Sequence, residues 1–226
     1  MISDRLLLCG ELVRRGAVLA DVGTDHAYLP IHLLSCGTIS RCIVSDINEG
    51  PLMRARRNLE DSGYSDRAVV VLTDGAAALR DMGATDYAVC GMGGELIARI
   101  ISEAPQLSDE KINLILQPMS RPEALRAYLF DNGFSILNER YVTDTGRHYV
   151  CILASYRGIK TEYTSADIHF GKAEFFVGEL PLAMRLYMEE REAALIKLIH
   201  GKRLGGSPTA AEEELLSSLR NRLKGM

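Results

Sequence analysis

"FSILNERYVTDTGRHYVCILASY", residues 134–156, decides the fold. Its two halves, 134–142 and 147–156, are rich in β-branched and aromatic residues, and the TDTG between them (143–146) supplies an Asp and a Gly for a turn. They read as an antiparallel hairpin.

Upstream of the hairpin, five short apolar runs alternate with helical patterns. The strands are AVLADV (17–22), RCIVSD (41–46), AVVVLTDG (68–75), YAVCGMGG (87–94) and INLILQP (112–118). Between them lie AYLPIHLLSCG, closed by Gly37, and PLMRARRNLEDSG, with Pro51 in its first turn and Gly63 past its end. A helix starting at Glu95 and RPEALRAYLFDNG (121–133) complete the series. Continuous apolar strands separated by helices are parallel and buried on both faces. A dehydrogenase would more often add a sixth parallel strand, whereas five strands followed by an antiparallel pair is the methyltransferase variant of the doubly wound sheet.

Beyond about residue 160 strand signals stop. Residues 181–203 carry Leu182, Leu186, Ala193, Leu195, Ile196 and Ile199 at helical spacing, GGSP breaks the pattern, and 209–226 form a second helix with Thr209 as its cap. Two helices joined by a short turn make an antiparallel hairpin. The chain divides into a main domain, 1–158, and a helical extension, 159–226.

With 226 residues the chain suffices for one α/β domain plus an appendage. A composition of 47% hydrophobic and 25% charged residues excludes disordered and collagen-like classes. The net charge of −4 lacks the basic balance of a protein that holds nucleic acid by bulk electrostatics, so such contact must use local patches. Cys9, Cys36, Cys42, Cys90 and Cys151 show neither a CxxC pair nor zinc spacing, and read as buried free thiols in a reducing cytosol. The apolar run Leu6 to Cys9 is flanked by Asp4, Arg5, Glu11, Arg14 and Arg15, which is an amphipathic helix and not a signal peptide. No run reaches the roughly 18 apolar residues of a membrane span, so a soluble, cytoplasmic protein is expected.

Ligands of open α/β sheets bind beyond the carboxyl ends of the strands. Here those ends carry Asp21, Gly23, Thr24 and Asp25; Asp46 and Asn48; Asp74 and Gly75; Gly91, Met92, Gly93 and Gly94; and Gln117 and Pro118. Asp46 can accept both ribose hydroxyls, Asp74 the exocyclic amine of an adenine, and Asp21 an amino group, while Gly23 permits close backbone approach. This set suits S-adenosylmethionine better than NAD, because no diphosphate-cradling GxGxxG is present. A single acid of this kind is more often a cap or a turn residue; three in register are harder to dismiss.

ADVGTDHAYLPI, DINEGPL, GMGG, LILQP and LR.YL...GF, in this order and spacing, resemble the bacterial tRNA (adenine-N1)-methyltransferase TrmK family, whose members methylate adenine 22 of tRNA. The resemblance covers roughly residues 4 to 156 and continues more loosely into the tail. It implies a class I SAM-methyltransferase Rossmann-like domain with a coiled-coil-like helical extension, S-adenosylmethionine as cofactor and tRNA as partner. It also implies that Gly23, Asp25 and His26 lie along the methionine, Asp46 and Ile47 at the ribose, Asp74 and Gly75 at the adenine, and Gly91 to Gly93 beside the methyl group. Two positions depart from the family pattern: Met119 stands where Asn is usual and Val150 where an acid is usual.

For attack by adenine N1, Asp25 is the first catalytic candidate, able to stabilise the developing positive charge and to accept a proton from the 6-amino group. Asp also tolerates the left-handed backbone this loop requires. The competing role is binding the cofactor amine or capping the next helix. His26 is a general base or a packing residue, and Tyr28 a stacking surface for a flipped base or part of the core. Met92 either lines the transfer pocket or fills the core. Gln117 and Pro118 would meet the base edge, with Tyr149 as a further wall. Cationic patches for tRNA are Arg5, Arg14 and Arg15; Arg54, Arg56 and Arg57; and Arg185, Arg191, Lys197, Lys202 and Arg203, the last group interleaved with glutamates. Neither a metal site nor an obligate protein partner is expected. The alternatives are methylation of another RNA site or of a small molecule, and a non-catalytic nucleotide-binding module whose helical hairpin recruits a partner.

Overall fold

The computed structural model describes residues 2–175, 178 and 180–224. Its strands are β1 (Val18–Val22), β2 (Arg41–Asp46), β3 (Ala68–Leu72), β4 (Asp86–Gly93), β5 (Asn113–Ser120), β6 (Phe134–Asp144) and β7 (Arg147–Tyr156). They form one sheet in the order β3-β2-β1-β4-β5-β7-β6. The first five are parallel, and β7 enters antiparallel between β5 and β6. The hairpin of residues 134–156 is therefore present, with its turn one residue later than TDTG suggests. Asp144 still belongs to β6, and Thr145 and Gly146 turn the chain with φ of 49° and 75°.

The helices are α1 (Asp4–Glu11), α2 (Tyr28–Ser35), α3 (Glu49–Asp61), α4 (Gly94–Ser102), α5 (Pro122–Asp131), α6 (Ser165–Phe170), α7 (Leu182–Leu204) and α8 (Ala210–Lys224). Alternate strand residues serve opposite faces. Leu19, Cys42 and Val44 pack with Cys9, Leu33 and Leu59 from α1 to α3, whereas Ala20, Val22 and Val89 face Ile97, Leu125 and Leu129 from α4 and α5. Strand β1 lies between β2 and β4, where the strand order reverses, so a crevice opens at its carboxyl end.

Residues of the extension join the same apolar cluster as α4 and α5: Phe170, Leu180, Met184, Tyr187, Met188, Leu215 and Leu219. The buried stripe of α7 is Met184, Tyr187, Met188 and Ile199, while Leu182 and Ile196 are exposed. Of the aliphatic stripe expected there only Ile199 is buried; the stripe is rotated, because Met and Tyr supply the contacts that the aliphatic spacing assigned elsewhere. The hairpin of α7 and α8 is closed by Lys202–Glu212, Arg203–Glu213 and Arg220–Glu192 pairs. Helix α6, unforeseen in the sequence, begins in a capping box: Thr164 Oγ1 accepts from Asp167 N, and Asp167 accepts from Thr164 N.

Helix α6 is fastened by a buried ion pair. Arg126 Nε donates to Glu139 Oε1 at 2.6 Å and Nη2 to Oε2 at 3.2 Å, while Nη1 reaches the carbonyls of Ile168 and His169. Both side chains of the pair are fully buried. Burial alone would depress the guanidinium, but the Glu139 carboxylate overcomes it and holds Arg126 above its ordinary value. Tyr141 donates to Glu139 as well, and Arg222 of α8 donates to Asp167 and to the Gly171 carbonyl.

Candidate active site

Two cavities meet at the carboxyl ends of β1 and β4. One, of about 360 Å³, is lined by Asp46, Ile47, Asp74, Gly75, Met92 and Arg99, among others. The other, of about 370 Å³, is lined by Arg5, Asp21, Thr24, Asp25, His26 and Tyr28, among others. Gly23, Cys90 and Gly91 line both, so they form the seam between them.

The loop after β1 is pinned from below. Gly23 N and Thr24 N both donate to the Ser45 carbonyl of β2, at 2.8 and 2.9 Å. Gly23 has φ of 75°, and a Cβ there would collide with the Met92 terminal methyl. Met92 thus occupies the space that this glycine leaves. Asp25 continues in the left-handed region with φ of 47°, as its sequence position suggested, and Ala27 follows at 56°.

Asp21 is buried, accepts from Thr24 Oγ1 at 2.5 Å, and is pushed up to about 6 by burial. The Thr24 bond opposes that shift and the nearby Asp46 charge adds to it. Such a carboxylate gains from a cationic partner, which fits a ligand amino group. Asp46 accepts from Asn48 N through Oδ1 at 2.8 Å. Exposed Ile47 beside it offers an apolar surface. Asp74 is held by Arg99 of α4, with N–O distances of 3.3 and 3.5 Å. The sequence reading missed Arg99, whose helical position gives no sign that it faces a strand end. Acceptors for a diol and an exocyclic amine in one cavity, with an acceptor for an amino group just across the seam and no diphosphate cradle, fit a nucleoside that carries an amino acid.

On the other side of the seam, Asp25 pairs with Arg54 at 2.8 Å, and His26 Nε2 lies 3.4 Å from its second oxygen. His26 and Tyr28 are stacked, with centroids 5.0 Å apart and planes 14° apart. Tyr28 is 37% exposed, so an aromatic surface stands at the cavity wall.

The chain matches the family described as a methyltransferase domain over residues 2–152. The tRNA (adenine(22)-N(1))-methyltransferase of Bacillus subtilis (strain 168) is 33% identical over 153 residues, which is 68% of this chain and 64% of that protein. The chain belongs to the methyltransferase-domain family. Among solved structures, the B. subtilis M1A22 tRNA methyltransferase TrmK superposes with a TM-score of 0.80 at 26% identity, over 99% of this chain and 96% of that one. Streptococcus pneumoniae Sp1610, solved in complex with S-adenosyl-L-methionine, gives 0.84 at 31% identity over 97% and 99%.

Against that family background, several substrate-side expectations need revision. Gln117 is fully buried, not presented to a base edge: its Oε1 accepts from Gly91 N at 3.1 Å and from Arg5, and its Nε2 donates to the Pro118 carbonyl at 3.0 Å. Pro118 is buried too. Tyr149 is buried with the Arg5 guanidinium over its ring, 5.8 Å from the centroid. Val150 lies in the core and Met119 is exposed.

Arg14 is no free phosphate contact. It donates to Asp86 at 2.8 and 2.9 Å and to the Thr85 and Lys111 carbonyls, clamping α1 to the amino ends of β4 and β5. Arg57 is exposed beside Asp61 and does not reach the seam. The thiols are free, as expected, but Cys36 is exposed. Cys90, at the seam, is pushed well above its ordinary value by its bond with the Cys9 sulfur and by burial, which keeps it a thiol and not a nucleophile. Among the described residues no group of His, Cys, Asp and Glu could hold a metal, and no helix is long and apolar enough to cross a membrane.

Proposed function

We propose that this protein transfers a methyl group from S-adenosylmethionine to N1 of adenine 22 in tRNA. The observation that carries this reading is the pair of cavities sharing Gly23, Cys90 and Gly91: a nucleoside groove on one side, a base-sized pocket with an acid and a stacking ring on the other. The likeness to the tRNA (adenine(22)-N(1))-methyltransferase of Bacillus subtilis supports position 22 of the tRNA. The cytoplasm is the proposed location, where tRNA is found.

S-adenosylmethionine, when bound, supplies a methyl on a sulfonium already activated for in-line displacement, which leaves the protein chiefly positioning and electrostatics. Asp46 and Ile47 hold the ribose, Asp74 and Gly75 the adenine, and Asp21 with Thr24 the amino group. Gly23 and Met92 complete the groove, Gly93 follows Met92, and Asp21, Thr24 and His26 lie across the seam, where the amino-acid end of the cofactor reaches. Arg99 orients the Asp74 carboxylate that receives the exocyclic amine.

Tyr28 stacks on the extruded base through the face that His26 leaves open. Asp25 stabilises the positive charge that grows on the ring as N1 attacks, and accepts from the 6-amino group. Arg54 offsets part of the Asp25 charge but fixes its direction, so the carboxylate keeps lone pairs for the base.

The test is transfer of radiolabelled methyl from S-adenosylmethionine to unmodified bacterial tRNA, followed by nucleoside analysis. N1-methyladenosine that disappears when adenine 22 is replaced is the expected product. Label in another nucleoside, or label that survives replacement of adenine 22, would move the substrate elsewhere.

A further inference from the structure

Arg5 is the second residue of α1, and the sequence groups it with surface cations. The structure buries most of its side chain, leaving 18% exposed. Its Nη1 donates to Gln117 Oε1, the same oxygen that accepts from Gly91 N at 3.1 Å. Tyr149 lies under the guanidinium, and Asp144 approaches Nε at 3.9 Å from the tip of the β6–β7 hairpin. Gln117 is anchored at its other end by the Pro118 carbonyl, so its amide has little freedom to turn.

The peptide at the end of this chain of contacts sits where the two cavities meet. Gly91 has φ of 81° and its N–H is held by a side chain from β5, so its placement depends on that amide. A methyl passing between the cavities must cross the seam that Gly91 forms with Gly23, and misplacement by about 1 Å costs on the order of a hundredfold in such a transfer. Resting on the methyltransferase reading, we infer that Arg5 is a positioning residue for methyl transfer: through Gln117 it fixes the Gly91 backbone at the seam, so that the first helix completes the active site. A direct role on the reacting base is disfavoured electrostatically, since a guanidinium beside N1 would oppose the positive charge that develops there.

The experiment compares Arg5→Ala, Arg5→Lys, Gln117→Ala and the double variant Arg5→Ala/Gln117→Ala in the full chain. It measures S-adenosylmethionine affinity by calorimetry, and kcat and KM with an unmodified tRNA transcript. For Arg5→Ala the expected result is a kcat lower by about 10- to 100-fold, with cofactor affinity and tRNA KM within about twofold of wild type. Lysine, a single-point donor, gives an intermediate kcat. The double variant is no slower than Gln117→Ala alone, because both changes break one connection.

A raised KM at unchanged kcat, with a salt dependence of tRNA binding flatter by roughly one unit, would make Arg5 a phosphate contact and overturn the inference. Multiplying effects in the double variant would do the same. If Arg5→Ala fails to fold, Arg5→Lys decides alone, and wild-type kcat from it counts against the inference. A wild-type chain that methylates no RNA overturns the parent reading and this inference together, whereas full activity in Arg5→Ala overturns only the inference.

Discussion

At Arg126 and Glu139 the protein takes both partners of an ion pair out of water, whereas at Asp25, Asp46 and Asp74 it leaves carboxylates on the rim of an open groove. The residue types are the same and the physics is opposite. The buried pair is saturated, with Tyr141 and two α6 carbonyls taking up its remaining capacity, so nothing is left over for a ligand. The groove acids have at most exposed partners, which water or a ligand can replace at small cost. Burial with full pairing makes a charge part of the fold, and exposure with partial pairing makes it available for chemistry.

That contrast breaks most visibly at Glu139. Replacing it with leucine strands a fully buried guanidinium, which costs about 3–5 kcal/mol in urea denaturation. The double change Arg126→Met/Glu139→Leu returns most of the loss, because no charge remains buried. A Glu139→Leu midpoint close to wild type would show that the pair does not hold the extension.

Asp21 sharpens the comparison, being a groove acid that is nevertheless buried. Its folded-state value, about 6, stands above the ordinary 3.8, so the ionised form is the one disfavoured by folding. The resulting penalty is absent below about pH 4, grows as pH rises, and is full above pH 6, where the shift corresponds to about 3 kcal/mol. Asp21→Asn is therefore more stable than wild type at about pH 8, with the advantage fading as pH falls toward about 4, while its cofactor affinity drops. Thermal midpoints at the two pH values, without and with S-adenosylmethionine, check both halves. A smaller effect is expected from Tyr28→Ala, which removes one stacking surface and weakens tRNA binding by about 1–3 kcal/mol, leaving cofactor affinity unchanged. Equal weakening of cofactor and tRNA would put the ring on the other side of the seam.

Legibility in the sequence divides the same way. The strands, the 134–156 hairpin and the acids at strand ends are local signals, read from apolar runs and from the residues directly after them. The left-handed Asp25 was legible because a nucleotide loop demands that backbone and few residues tolerate it. The partners were not legible. Arg5 and Gln117 are 112 residues apart, Arg14 and Asp86 are 72 apart, and nothing in either neighbourhood points to the other. Gln117 looked available because it ends a strand, yet the Gly91 amide and Arg5 turn it inward. The Arg126–Glu139 pair was invisible for the same reason, since a charged residue in a helix reads as a solvated face until the tertiary fold covers it. Helix α6 is the exception: Thr164 and Asp167 spell a capping box that the sequence alone could have yielded.

The measurement that tests this division most directly is made on Asp25→Asn, which keeps a residue suited to the left-handed backbone and removes the charge, with calorimetric binding of S-adenosylmethionine and single-turnover methyl transfer to tRNA on the same preparation. An exposed groove acid that serves chemistry and not the fold predicts an unchanged melting midpoint, cofactor affinity close to wild type, and transfer slowed by about 10²–10⁴-fold. A variant that binds the cofactor and methylates at the wild-type rate would contradict the account.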